Sequence, residues 1–162
     1  MIIDRIKTCA FTGHRKLSAD FDGKKLELII KKLIVGGYDT FLVGMAVGFD
    51  TECFKMLERF RKTERIKIIA CIPCERQDVN FSPEQKAEYR KMLDSADEKV
   101  YVSKEYTNTC MFKRNIFMVD NASVLVAYLN SERGGTFHTV NYAKRNGVKV
   151  ITVNSDKSDY II

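Results

Sequence analysis

The sequence predicts an α/β fold of three layers, α/β/α, around a mostly parallel sheet of about six strands, and three observations carry that expectation. Six short apolar runs rich in β-branched residues recur along the 162 residues, as expected of strands buried on both faces. Between them, apolar residues return at helical spacing. The two patterns alternate throughout, and such alternation builds parallel sheets covered on both faces by right-handed crossovers.

The first run is Thr8 to Thr12. Leu26, Ile29, Ile30, Leu33 and Ile34 then form an i, i+3, i+4, i+7 stripe, and Gly36-Gly37 stops that helix. Thr40 to Val43 is the second run, followed by a helix carrying Cys53, Met56, Leu57 and Phe60. Ile66 to Ile72 is the third. Phe81-Ser82-Pro83 introduces a weaker stripe of Ala87, Met92 and Leu93. Lys99 to Val102 is the fourth run, with a helix after it from about Cys110 to Asp120. Ser123 to Tyr128 is the fifth, then a helix from about Gly135 to Asn146 closed by Gly147, then Val148 to Val153. The series is that of a Rossmann-like domain, with an expected strand order of 3-2-1-4-5-6.

Length and 45% hydrophobic residues suit one domain over residues 1–162. Two prolines, nine glycines and no low-complexity tract leave no evident linker. Met1-Ile2-Ile3-Asp4-Arg5 opens no apolar signal segment, and no stretch approaches the roughly 18 apolar residues of a membrane span. A soluble, cytoplasmic protein with no membrane partner is therefore expected. Five cysteines, an odd number in a chain of this size, read as thiols in a reducing compartment. A net charge of +6 and a pI near 9.0 favour acidic or phosphorylated partners. Lys and Arg are dispersed rather than blocked, so nucleic-acid binding is permitted but not indicated.

In sheets of this kind ligands bind beyond the carboxyl ends of the strands, so the loops there carry the functional expectation. After the first strand come Thr12, Gly13, His14 and Arg15: a glycine turn followed by two donors suited to an anion, or an ordinary polar loop. After the second come Gly44, Met45, Ala46, Val47, Gly48, Phe49 and Asp50, immediately before a helix. Two glycines there let backbone N–H groups approach a ligand at a helix N-terminus, while Asp50 also suits a helix cap. The spacing is not G-x-G-x-x-G. After the fifth strand, Gly134, Gly135 and Thr136 start the last helix and suit a phosphate or ribose. Arg114 is a candidate for a bidentate phosphate contact, with Asn115 beside it, and solvation or ion pairing is its other reading. Asp120, at the far end of that helix, reads as an orienting or structural carboxylate.

Cys71-Ile72-Pro73-Cys74 has C-x-x-C spacing without a second pair, and His14 and His138 lack metal-ligand spacing. No metal site is expected, and a buried cysteine at a strand end explains the motif better than redox chemistry.

Taken in order, Thr12-Gly13-His14-Arg15, the Gly44 to Asp50 loop, Arg114-Asn115 with Met118-Val119-Asp120, and Gly134-Gly135-Thr136 followed by Tyr142-Ala143 resemble the motifs of the SLOG superfamily. That superfamily takes in the DNA-processing DprA proteins and the LOG phosphoribohydrolases, and the likeness is closest to its YpsA-like branch of largely uncharacterised bacterial proteins. The resemblance spans nearly the whole chain. It implies a Rossmann-like fold, a nucleotide-type ligand between the first loop, the second glycine loop and the Gly-Gly-Thr helix start, and a dimer like those of the LOG relatives.

The LOG enzymes carry P-G-G-x-G-T-x-x-E. Here the segment reads Arg133-Gly134-Gly135-Thr136-Phe137-His138-Thr139, so a threonine stands where the catalytic glutamate belongs. A hydroxyl cannot supply that carboxylate's acid/base role. The leading expectation is thus a nucleotide-binding module, in the manner of a sensor or regulator. A nucleotide hydrolase using Asp50 or His138, and a single-stranded nucleic-acid binder, are its alternatives.

Overall fold

A computed structural model describes residues 1–154. Along the chain run β1 (Thr8–Gly13), α1 (Gly23–Val35), β2 (Thr40–Val43), α2 (Phe49–Arg61), β3 (Lys67–Ile72), α3 (Pro83–Ser95), β4 (Glu98–Tyr101), α4 (Cys110–Asp120), β5 (Val124–Tyr128), α5 (Gly134–Arg145) and β6 (Lys149–Thr152). Local chemistry sets several boundaries. The Asp22 carboxylate accepts from the N–H groups of Lys24 and Lys25 at the start of α1. Ser82 and Gln85 form a reciprocal capping box on α3, with Pro83 in its first turn.

All six strands pair in parallel, in the order β4-β3-β2-β1-β5-β6. The strand period of two divides the core. Cys9, Phe11, Phe41, Val43, Val124 and Val126 point to one side, against the stripes of α1, α2 and α3. Ala10, Leu42, Leu125 and Ala127 point to the other, against α4 and α5. Leu26, Ile29, Ile30 and Leu33 are fully buried, each worth about 1.5–3 kcal/mol of transfer energy. The three-layer α/β/α expectation holds, and the sheet is parallel throughout.

The expected order 3-2-1-4-5-6 is corrected in one respect: β4 does not cross to lie beside β1 but continues outward, pairing with β3 at the sheet edge. The reason is in its residues. Glu98-Lys99-Val100-Tyr101 keeps every second side chain in solvent, which suits an edge and not a central strand buried on both faces. The chain steps outward from β1 to β4, then returns to β5 on the far side of β1. The switch point of the topology therefore falls between β1 and β5, where an open α/β sheet forms its ligand crevice.

Candidate functional site

A cavity of about 380 Å³ opens at the carboxyl edge over that switch point. Three loops converge on it because β2, β1 and β5 are neighbours in the sheet. Thr12, Gly13, His14 and Arg15 come from β1, Gly44, Ala46 and Asp50 from the β2 loop and the start of α2, and Gly135 and Thr136 from the start of α5. Arg114 and Asn115 enter from α4, and Met111 and Phe11, which the sequence reading did not include, complete the wall.

The loops hold one another in place. The backbone N–H of Asn130 donates to His14 Nε2 at 3.0 Å, which latches the β1 loop to the β5 loop. That ring nitrogen is used as an acceptor, so Nδ1 is the one left to donate. Gly48 has φ 83°, and a Cβ there would lie 2.2 Å from the Arg15 carbonyl oxygen. Only glycine permits this close approach of the second loop to the first. Tyr128, at the end of β5, accepts from the Ser18 N–H at 3.1 Å and donates to Asp20 Oδ1, bracing the far side of the β1 loop.

Arg114 is 6% exposed and works as a clamp. Its Nη1 donates to the Gly44 carbonyl and, at 3.5 Å, to that of Cys71, while Nε donates to Asn115 Oδ1 at 2.8 Å. The same Gly44 carbonyl accepts from Gln77 Nε2 at 3.0 Å, and Tyr89 donates to Gln77 Oε1 at 3.2 Å. The carboxyl ends of β2 and β3 are thereby tied to α4. Burial pushes the guanidinium pKa down, with Asp50 acting against the shift. This corrects the expected bidentate phosphate contact: Nε and Nη1 are committed to protein acceptors. What remains for a ligand is Nη2, whose neighbour is Met111 Sδ at 4.0 Å, together with the buried positive charge.

Asp50 is likewise 6% exposed and is the second residue of α2, whose N-cap is Gly48. The helix-cap reading is therefore wrong in detail. Its Oδ2 accepts from the Ala46 N–H at 3.1 Å and pins the loop, whereas Oδ1 is buried with no hydrogen-bond partner among the described residues. Burial raises its pKa to about 6 from the ordinary 3.8, against the opposing pull of Arg114, the Ala46 N–H and Arg15. Gly44 makes the arrangement possible, since a Cβ there would stand 2.8 Å from Arg114 Nη1 and 3.0 Å from Asp50 Oδ2.

α5 begins without a side-chain cap, which leaves its first N–H groups without an intrahelical partner, and its residues Gly135 and Thr136 line the cavity. Of the remaining expected residues, the Met45 side chain is fully buried at φ 66° and, with Gly48, lines a different hollow between α2 and α3. Gly134 opens α5 at φ 89° and lies outside the cavity lining. His138 is exposed on α5, away from the cavity. Thr139 is buried and donates to the Gly135 carbonyl at 2.6 Å, bound to its own helix. The Asp120 carboxylate accepts from the Tyr142 hydroxyl at 2.7 Å, an orienting contact between α4 and α5.

All five cysteines are free and buried. Cys71 and Cys74 are not paired, and Cys74 has Cys110 rather than Cys71 as its thiol neighbour. Among the described residues, no group of three or more His, Cys, Asp or Glu is placed to hold a metal ion. No helix among them is long and apolar enough to cross a membrane.

Comparison with known proteins agrees with this architecture. Residues 12–157 match the YpsA model, described as the YspA SLOG family. The chain is 32% identical over 137 residues to the uncharacterized SPbeta prophage-derived protein YoqJ of Bacillus subtilis (strain 168), covering 75% of this chain and 79% of that protein. DNA processing protein A (DprA) from Streptococcus pneumoniae superposes with a TM-score of 0.68 at 18% identity, over 91% of this chain and 50% of its own. DNA processing protein A from Helicobacter pylori, described for its single-stranded DNA binding mode, superposes with a TM-score of 0.61 at 11% identity, over 90% of this chain and 64% of its own. The chain thus spans half to under two thirds of those two structures, and the likeness to them is one of fold. The family match over most of the chain is of a different order, and with the Bacillus relative it establishes that the chain belongs to the YpsA (YspA SLOG) family.

Proposed function

We propose that the chain binds a nucleotide or nucleotide-derived small molecule at the carboxyl edge of its sheet, as a sensing or regulatory module. The phosphate meets the start of α5 and the Thr12 to Arg15 loop, where the helix dipole and the Arg15 side chain favour an anion. The buried charge of Arg114 adds to that field. The observation that carries the reading is Asp50: a residue that lines the same cavity and has a buried carboxylate oxygen with no partner among the described residues, which a hydrogen-bond donor from a ligand would satisfy. A ribose hydroxyl or a base amino group one sugar away from the phosphate supplies it.

The test is calorimetric titration of the folded protein with nucleoside monophosphates, ribose 5-phosphate and inorganic phosphate, repeated on Asp50→Asn. Asn keeps an acceptor for the Ala46 N–H but loses the charge. Binding of nucleotide is expected to weaken about 10- to 100-fold, the worth of a hydrogen bond to a charged group, while inorganic phosphate binds both proteins alike. Absence of binding across the whole panel would end the proposal.

A hydrolase reading draws on the Asp50 pKa of about 6, which suits a proton donor near neutral pH. It requires that bound nucleotide release base, ribose phosphate or inorganic phosphate at a rate that Asp50→Asn abolishes. The buried Thr139 supplies no second carboxylate, and the binding module is the reading preferred here.

A further inference from the structure

The cavity over the switch point does not end at its outer wall. A second hollow of about 190 Å³ lies beyond it, and Arg15, Ala46 and Met111 line both. The outer hollow sits between the short 3-10 turn Gln77–Asn80 and the segment leading to α4. Arg76, Val79, Asn80 and Tyr106 line this hollow alone of those described, and Phe81 and Gln85 line both it and the hollow between α2 and α3. Tyr106 is 69% exposed and Val79 50%, so an aromatic and an aliphatic surface face solvent at the mouth of a polar site.

Charge separates this trough from the neighbouring hollow between α2 and α3. Arg15, Arg76 and Arg114 line the two hollows against one carboxylate, Asp50. The neighbouring hollow between α2 and α3 has the opposite balance, with Glu52, Glu84 and Glu88 against Lys55. Neither Arg15 nor Arg76 forms an ion pair among the described residues. An elongated anion fits the trough by sign, and a flat aromatic group fits its outer end by shape.

We infer that the ligand is a dinucleotide, two nucleosides joined through phosphates: one nucleoside in the inner cavity, the phosphate bridge beside Arg15, and the second base against Tyr106 and Phe81 near Arg76. The inference rests on the nucleotide reading above and adds the second half of the ligand. A mononucleotide held at α5 and Asp50 has no use for Arg76 or Tyr106. Base stacking on an aromatic side chain gives the outer hollow a reason for both its exposed ring and its flanking amides.

The experiment titrates the full chain, and its Tyr106→Ala and Arg76→Ala variants, with AMP, with the pyrophosphate-linked dinucleotide NAD⁺ and with a thymidylate hexamer. Both substituted residues are exposed, and circular dichroism checks that the variants fold. The expected result is a dinucleotide bound at least roughly tenfold tighter than AMP, an advantage that either variant removes without changing AMP affinity. Equal affinity for AMP and the dinucleotide, or an advantage that survives both substitutions, overturns the second subsite and leaves the nucleotide reading standing. If none of the nucleotides binds the folded protein, both fall. If the hexamer binds tightest, with affinity falling steeply as salt rises, the trough holds a strand and the dinucleotide assignment is wrong.

Discussion

Between its ordinary pKa of 3.8 and its folded-state value of about 6, Asp50 holds a proton that the unfolded chain has lost. Its folded-state pKa of about 6 stands above the ordinary 3.8, because desolvation outweighs the help of Arg114, the Ala46 N–H and Arg15. Between about pH 4 and 6 the folded protein therefore binds more protons than the unfolded one, and stability declines as pH rises through that window. Above pH 6 the penalty is complete, roughly 3 kcal/mol for a displacement from 3.8 to about 6. Asp50→Asn is expected to raise stability in denaturant at pH 7.5 by up to that amount and to have little effect at pH 4, while weakening nucleotide binding. Equal destabilisation at both pH values would make Asp50 a structural residue. The sequence brought this residue into view through its place after Gly44 and Gly48, but not its burial. Arg114 was legible as a residue of the candidate cavity but not as a clamp on the backbone, because which acceptors its nitrogens meet depends on Gly44 and Cys71, 70 and 43 residues away.

Elements that carry their own punctuation were legible: Gly36-Gly37 after α1, Ser82-Pro83 at the start of α3 and the paired glycines at the start of α5 all fall at helix boundaries. Gln77 and Tyr89 were not, since a buried amide in a 3-10 turn and a tyrosine on a weak helical stripe announce nothing until Gln77 meets the Gly44 carbonyl and Tyr89 meets Gln77. The start of α5 allows a test at the scale of the element. Gly135 has room for a side chain, its nearest neighbour being Asn115 Nδ2 at 3.9 Å from a built Cβ. A carboxylate at that position suits the helix dipole, worth about 0.3–1 kcal/mol, and repels a phosphate from the same N–H groups. Gly135→Asp is expected to keep or raise the melting temperature, by about 1–4 °C, while lowering nucleotide affinity more than tenfold. Undiminished binding by a folded variant would move the phosphate away from α5.

For the molecule as a whole, the layers and the parallel sheet followed from alternation alone, and the edge that carries the candidate cavity followed from the sheet. Strand order did not, because periodicity is silent on which side of β1 a strand lands; the exposed Glu98 to Tyr101 pattern that places β4 at the edge is a burial fact only half visible in its composition. The cysteines report on this whole architecture. Cys9 and Cys53 lie in the core on one side of the sheet and Cys71 on the other, with Cys74 and Cys110 buried near the carboxyl edge. Burial pushes the thiols of Cys9, Cys53 and Cys74 up and that of Cys71 to about 12. Thiolate is the reactive form, so a disulfide reagent should react slowly with Cys9, Cys53 and Cys71 in the native protein and quickly with all five cysteines in guanidinium. Slow labelling of Cys9, Cys53 and Cys71 then reports opening of the sheet and its helices. A nucleotide at one hundred times its dissociation constant, binding only the folded state, should slow that labelling about 100-fold. Fast reaction at any of these three thiols in the native protein would mean that the packing around the sheet is looser than the burial of its strands requires.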